Sequence, residues 1–198
     1  MRKLIVANIV SLDGYYEGPN RNVMALPMDH SFDAYNAERL RAADTLLLGA
    51  NCYGMFKGFW PQMKEHPQAT PVHREISRLN DAIEKVVVSD RLQSEQTDPW
   101  RSTTRILRRA EAQRQIAALK QGPGRDILVF GSRTLWNDLL SAGLVDELHL
   151  MVGAVVLGGG TPAFLQAQPA PFRLIDTRRW EGSSNVLFQY AVEPATAR

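Results

Sequence analysis

Three short segments combine residue types and positions suited to binding anions. In Val129-Phe130-Gly131-Ser132-Arg133-Thr134-Leu135 an apolar strand pattern passes through a small-residue turn directly into a helix pattern. The first N–H groups of a helix lack intrahelical partners and sit at the positive end of its dipole, so Gly131, Ser132, Arg133 and Thr134 make a seat for a pyrophosphate. Ordinary N-capping by Ser132 gives the same pattern. Ser89-Asp90-Arg91 sets a hydroxyl and a guanidinium after another apolar run, which is either a phosphate pair or a polar turn. Gly158-Gly159-Gly160-Thr161-Pro162-Ala163 satisfies G-x-G-x-x-G/A after a strand, with Asp176 downstream near the spacing of a ribose-binding acid. That motif needs a crossover helix of about ten residues, and Pro169 and Pro171 leave room for about one turn. These glycines therefore read as a tight turn or a close backbone approach, with which a phosphate-facing loop is compatible.

Other candidates each carry two readings. Asp29 or Ser31 can cap the helix that follows, and Asp13, in Ser11-Leu12-Asp13-Gly14, can orient a substrate or simply close a turn. Cys52 is either a reactive thiol or a buried structural one. His30, His66, His73 and His149 lack metal-ligand spacing, so no metal is expected, and His149 reads as a core or interface residue. The run Arg101, Arg105, Arg108, Arg109 and Arg114 reads as a solvated face, and the four tryptophans read as packing anchors.

Apolar runs at Leu4–Val10, Thr45–Leu48, Lys85–Ser89, Asp126–Phe130 and Glu147–Leu157 read as buried strands. Helical patterns lie between them: after Asp29, at Ile76/Leu79/Ile83, over Ala110–Lys120 and after Ser132. Gly54–Pro71 reads as an ordered loop with a short helix, Leu92–Thr104 as a short strand or surface excursion, and Ala163–Gln166 as at most one helical turn. Phe172–Arg179 and Val186–Val192 flank a polar turn as a terminal hairpin. Alternating strands and helices make an α/β chain with parallel connections and an antiparallel edge. The 198 residues, with 23 Lys+Arg against 21 Asp+Glu and one Cys, fit a single domain over 1–198 and exclude disulfide-built and zinc-ribbon folds. A formal charge of +2 argues against nucleic-acid and membrane-surface partners, and no apolar run spans a bilayer, so a cytoplasmic protein is expected.

In their order along the chain these segments resemble the dihydrofolate reductase superfamily, in its branch containing the RibD C-terminal reductase domain of riboflavin biosynthesis. The resemblance is carried by Ser11-Leu12-Asp13-Gly14, Ala43–Gly49 followed by Tyr53 and Phe56, Phe59-Trp60-Pro61, Lys85–Ser89, Asp126–Ser132, Leu144–Leu148 and Val156–Phe164. It implies a three-layer fold around an eight-stranded, mostly parallel mixed sheet with the antiparallel hairpin, binding NADPH without a Rossmann fingerprint. It also implies hydride transfer to a pterin-like or ribosylaminopyrimidine-like heterocycle, and a homodimer.

Carried over by position, Ala7 and the turn Ser11–Gly14 lie near the nicotinamide, Gly131 to Thr134 at the pyrophosphate, and Ser89 with Arg91 at the adenosine phosphate. Gly49, Asn51, Cys52 and Gly159 are further cofactor candidates; Asp29 is a substrate anchor or proton source, and Asp13 a second catalytic candidate. One departure stands out. Where the family has Gly-Arg-x-Thr-Tyr, this chain has Gly49-Ala50-Asn51-Cys52-Tyr53, which lacks a cationic phosphate contact and replaces a hydroxyl by a weak thiol donor. Losing such a charge-assisted contact costs about 1.5–3 kcal/mol unless something substitutes. NADH is therefore the other candidate donor, and a cofactor-impaired ligand-binding or interaction protein is the alternative reading. Arg91 and the arginines from Arg101 to Arg114 are the cations available to substitute.

Overall fold

The apolar runs pair into one large sheet, and the computed structural model describes it over residues 1–165 and 171–193. The chain passes through β1 (Leu4–Ser11), β2 (Tyr15–Glu17), α1 (His30–Ala42), β3 (Ala43–Gly49) and α2 (Ala50–Met63). It continues through α3 (Pro71–Ala82), β4 (Glu84–Val88), β5 (Thr104–Leu107), α4 (Arg109–Gln121) and β6 (Asp126–Phe130). Then come α5 (Arg133–Ser141), β7 (Glu147–Gly153), β8 (Thr161–Pro162), β9 (Phe172–Arg179) and β10 (Val186–Val192). Eight strands are ordered β5-β4-β3-β6-β1-β7-β10-β9, while β2 and β8 form a separate two-stranded ribbon. The pairs from β5 to β7 are parallel, and β10 runs antiparallel to both β7 and β9. This is the mixed, mostly parallel sheet with an antiparallel hairpin expected above.

Side chains alternate across each strand with period two, so the sheet separates two cores. Ala7, Ile9, Leu46, Leu48, Leu128 and Phe130 face α1, α2 and α3, against Tyr35, Leu40, Tyr53 and Ile76. Leu4, Val6, Leu47, Ile127 and Val129 face α4 and α5, against Ile116, Trp136, Leu139 and Leu140. Because β3 leads to α2 on one face and its neighbour β6 leads to α5 on the other, a crevice opens at their carboxyl ends. That is the topological switch point where open α/β sheets bind ligands.

Several boundaries differ from the sequence expectation. Gly54–Pro71 is no loop with a short helix: α2 runs unbroken to Met63, since Tyr53, Phe56 and Trp60 recur at helical spacing against the core, and Pro61 falls near the helix end. β7 stops at Gly153 and does not reach Leu157, because the Val155 N–H turns back to the Gly153 carbonyl and Asp13 takes the N–H groups of Leu157 and Gly158. Leu92–Thr104 is a surface excursion of short turns pinned by buried Trp100, whose indole donates to Asp81 at 2.8 Å. Ala163–Leu165 is not helical, and Gln166 lies outside the described residues.

Lys85 on β4 is fully buried, with no carboxylate at ion-pair distance among the described residues. Its Nζ donates to Thr103 Oγ1 at 2.9 Å and sits 4.6 Å from the centre of the Trp100 ring. Burial lowers its pKa to about 8 from 10.5. Between those values the unfolded chain binds a proton that the folded chain does not, so the Lys85 contribution makes stability rise with pH over that window. Lys85→Met is expected to be more stable at neutral pH and to lose this rise, measured by urea unfolding midpoints at pH 7.5 and pH 10.

Candidate active site

The crevice gathers residues from the ends of three adjacent parallel strands. β3 ends at Gly49 and α2 begins with Ala50; β6 ends at Phe130 before Gly131-Ser132; β4 ends at Val88 before Ser89. Gly131 and Ser132 both adopt left-handed backbone, at φ +55° and +49°. Ser132 occupies the N-cap position of α5 without capping it; its hydroxyl accepts the Gly49 N–H across the crevice at 3.0 Å. Gly131 donates its N–H to Asn8 Oδ1 at 2.8 Å. Only glycine fits there, since a Cβ would lie 2.7 Å from Cys52 Sγ and 3.1 Å from the Tyr16 hydroxyl, in addition to the strain of positive φ.

Cys52 takes its structural reading. The thiol is buried, donates to the Phe130 carbonyl at 3.5 Å, and burial pushes its pKa up, away from the nucleophilic thiolate. Arg133, half-buried, sends its Nε to the Pro162 carbonyl and so ties α5 to the β2·β8 ribbon, while Thr134 is exposed.

Beside this seat a cavity of about 600 Å³ lies between the start of α2 and the segment after β4. Ala50, Asn51, Ser89, Arg91, Gln96 and Arg109 line it. The Ser89 hydroxyl is buried and accepts the N–H groups of Arg91 and Leu92 at 3.2 and 3.0 Å, which fixes the direction in which Arg91 leaves the strand. The Arg91 guanidinium is exposed and makes no ion pair among the described residues. Arg109 opens α4, with its N–H on Asp90 Oδ1 at 3.0 Å and its Nε 3.7 Å from Asp90 Oδ2. Of the basic run, Arg109 is the member that lines the cavity.

At the β1 end, Ala7 and Ser11 are buried, and the Ser11 hydroxyl donates to Asp13 Oδ1 at 2.6 Å while accepting the Tyr15 N–H. Asp13 also accepts the N–H groups of Leu157 and Gly158, at 3.1 and 2.8 Å. The Ser11 hydrogen bond leads in holding its carboxyl at about 2. Asp13 thus latches the loop after β7 onto the turn at Gly14. Gly159 lies in that loop facing open space, whereas at Gly160 a Cβ would overlap the Glu17 carbonyl oxygen, which is the close backbone approach read from the glycine run.

Asp29 caps α1, accepting the Ser31 N–H at 2.9 Å, and its carboxylate also receives the hydroxyls of Ser31 and Ser183, both at 2.6 Å, and Asn185 Nδ2 at 3.1 Å. Partial burial pushes its pKa up, yet the hydrogen bonds from Ser183 and Ser31 outweigh burial and leave it below the ordinary value. At neutral pH it is ionised, a carboxylate that accepts hydrogen bonds at the start of α1. His149 is a satisfied core residue, with Nδ1 2.7 Å from the Tyr35 hydroxyl and Nε2 3.0 Å from Glu147. Two crevice residues, Tyr16 and Asn8, escaped the sequence reading. A lone Asn inside the apolar run Leu4–Val10 was a usable signal, whereas Tyr16 had none.

The RibD C-terminal domain family matches residues 2–188. The chain belongs to that family. This RibD C-terminal domain protein is 30% identical to the uncharacterized protein YyaP of Bacillus subtilis (strain 168) over 178 residues, 89% of this chain and 88% of YyaP. A Shewanella sp. PV-4 protein named for riboflavin biosynthesis has the same fold, with TM-score 0.67, 19% identity, and 97% and 99% of the two chains covered. Dihydrofolate reductase from Enterococcus faecalis, solved with NADP(H), is similar at TM-score 0.57 and 16% identity over 97% of each chain. The RibD C-terminal domain here is therefore a dihydrofolate reductase-like fold. No described helix is long and apolar enough to cross a membrane, and no described group of three or more His, Cys, Asp and Glu side chains is arranged to hold a metal.

Proposed function

We propose that the chain is a cytoplasmic, NADPH-dependent reductase acting on a pterin-like or ribosylaminopyrimidine-like heterocycle. The observation that carries this reading is the cavity lined by Arg91 and Arg109 together with Ser89, Asp90 and Ala50, in which Arg91 is free of an ion pair among the described residues and Arg109 is shared with Asp90. Two guanidiniums there supply the charge that position 50 lacks, at the place suited to an adenosine phosphate. The Nδ2 of Asn8, buried beside the Gly131 turn and without a partner among the described residues, also fits a group with oxygen acceptors at the start of α5. Bound in the crevice, a reduced nicotinamide supplies the hydride, so the protein's work is binding and orientation. Asp13 holds the loop after β7 in place, and ionised Asp29 presents a carboxylate at the start of α1. All eight residues of edge strand β9 are exposed, Phe172, Leu174 and Ile175 among them, which supports a homodimer formed through this edge.

Titration with NADPH, followed by nicotinamide fluorescence, is expected to show saturable binding below millimolar concentration, with NADPH preferred to NADH. No binding of either dinucleotide at near-millimolar concentration contradicts the reading. Ala50 favours one alternative, a ligand-binding or interaction protein on the same fold without useful cofactor affinity. Under it Ala50→Arg raises NADPH affinity sharply from almost nothing; with Arg91 and Arg109 already in place the gain is at most about tenfold.

A further inference from the structure

The seat at the start of α5 is filled from within the chain. Gly131 gives its N–H to Asn8, the Cys52 thiol closes over Gly131 from α2, and the Tyr16 hydroxyl closes over it from the ribbon. The Tyr16 hydroxyl lies 3.1 Å from where a Gly131 Cβ would stand, in the turn that leads into α5, so a phenol oxygen stands near the positive end of the helix dipole. Asn8 is 8% exposed and its Nδ2 has no partner among the described residues, although its Oδ1 is in use. A buried donor without an acceptor is costly and rare, and this one lies beside the Gly131 turn. Tyr16 rides on a ribbon with just two register pairs, Tyr15 with Pro162 and Glu17 with Thr161, and the register shifts between them. The two segments of the ribbon are joined to each other by Asp13 with Leu157 and Gly158 and by the backbone bonds of Leu12 with Val155 and Ala163 with Gly14, which makes it one unit. The Arg133 and Asn137 side chains hold that unit on α5 at the carbonyls of Pro162 and Ala163.

We propose that Tyr16 gates this seat: its phenol oxygen holds the place of a phosphate oxygen, pyrophosphate binding exchanges the one for the other by shifting the β2·β8 ribbon, and the incoming oxygen gives Asn8 Nδ2 its acceptor. The gate rests on the reading above in that the pyrophosphate is taken to be part of a dinucleotide. Burial raises the Tyr16 pKa, so the displaced group is a neutral phenol that competes weakly with an anion at a helix N-terminus.

Tyr16→Phe keeps the ring packed and removes the oxygen. It is expected to bind both NADPH and inorganic pyrophosphate about two- to tenfold more tightly than the unaltered chain in calorimetric titration. Equal or weaker binding by Tyr16→Phe overturns the gate. Tighter pyrophosphate binding by Tyr16→Phe with no NADPH binding by either protein supports the gate and removes the dinucleotide reading. Absence of binding of both ligands to both proteins overturns the two together. Asn8→Asp keeps an acceptor for Gly131 and replaces the free donor with a negative charge; at unchanged melting temperature it is expected to weaken pyrophosphate at least about tenfold, and undiminished affinity removes Asn8 from the exchange. In the unaltered chain, hydrogen exchange at Tyr15–Glu17 is expected to accelerate when pyrophosphate binds, and slowing there contradicts displacement.

Discussion

The double variant Arg91→Ala/Arg109→Ala is expected to lose about a hundredfold in affinity for NADPH, while its affinity for NADH changes by at most about fivefold. Each guanidinium offers a charge-assisted hydrogen bond worth about 1.5–3 kcal/mol, and the two dinucleotides differ only in the phosphate these groups would hold. Arg91 has no competing ion pair among the described residues, whereas Arg109 is shared with Asp90 at 3.7 Å. Arg91→Ala alone should therefore cost more than Arg109→Ala alone. Because both side chains are exposed, folding stability should stay within about 0.5 kcal/mol of the unaltered chain. Parallel titrations with the two dinucleotides at fixed salt decide it; equal losses for NADPH and NADH would assign the arginines to general attraction.

Gly131→Ala is expected to lower stability by about 2–4 kcal/mol and to weaken dinucleotide binding at least about tenfold. Two costs combine. Left-handed backbone costs a non-glycine residue about 1–2 kcal/mol, and the new methyl would lie 2.7 Å from Cys52 Sγ in a buried contact. Cys52→Ala removes the contact without touching the backbone, so the double variant should recover about half of the lost stability and little of the binding. Denaturant midpoints for the four members of this cycle measure the division. Full recovery by Cys52→Ala would mean that the left-handed turn itself contributes nothing.

Much of this architecture could be read from residue order. The continuous apolar runs through Leu46-Leu47-Leu48 and Ile127-Leu128-Val129 mark buried strands, whose alternate residues the structure divides between two cores, and the hairpin bounds Phe172–Arg179 and Val186–Val192 follow from the polar turn between them. Composition misled at α2, where glycine, proline and aromatic residues look loop-like; Tyr53, Phe56 and Trp60 form the helical face that decides it. Two of the anion-binding segments, Ser89–Arg91 and Gly131–Thr134, were legible locally, but their meeting with Gly49–Asn51 depends on β3 lying between β4 and β6, a matter of strand order that no local pattern encodes. The Gly158–Ala163 segment lies apart in the loop after β7. Within the basic run, Arg109 lines the cavity while Arg108 beside it donates to the Asp90 carbonyl, a division that the run of arginines does not reveal. Ser132 looked like a cap because capping is a local pattern; its partner, Gly49, is 83 residues away. Tyr16 escaped notice for the same reason, since its relation to Gly131 exists only once the ribbon folds over α5.

The central claim is that one dinucleotide lies across the carboxyl ends of β4, β3 and β6. Amide hydrogen exchange with and without NADPH tests it most directly. The predicted result is slowed exchange in three separate stretches, Gly49–Cys52, Ser89–Leu92 and Gly131–Thr134, with the sheet's opposite end unchanged. Saturable binding that leaves these three stretches unprotected would contradict the account.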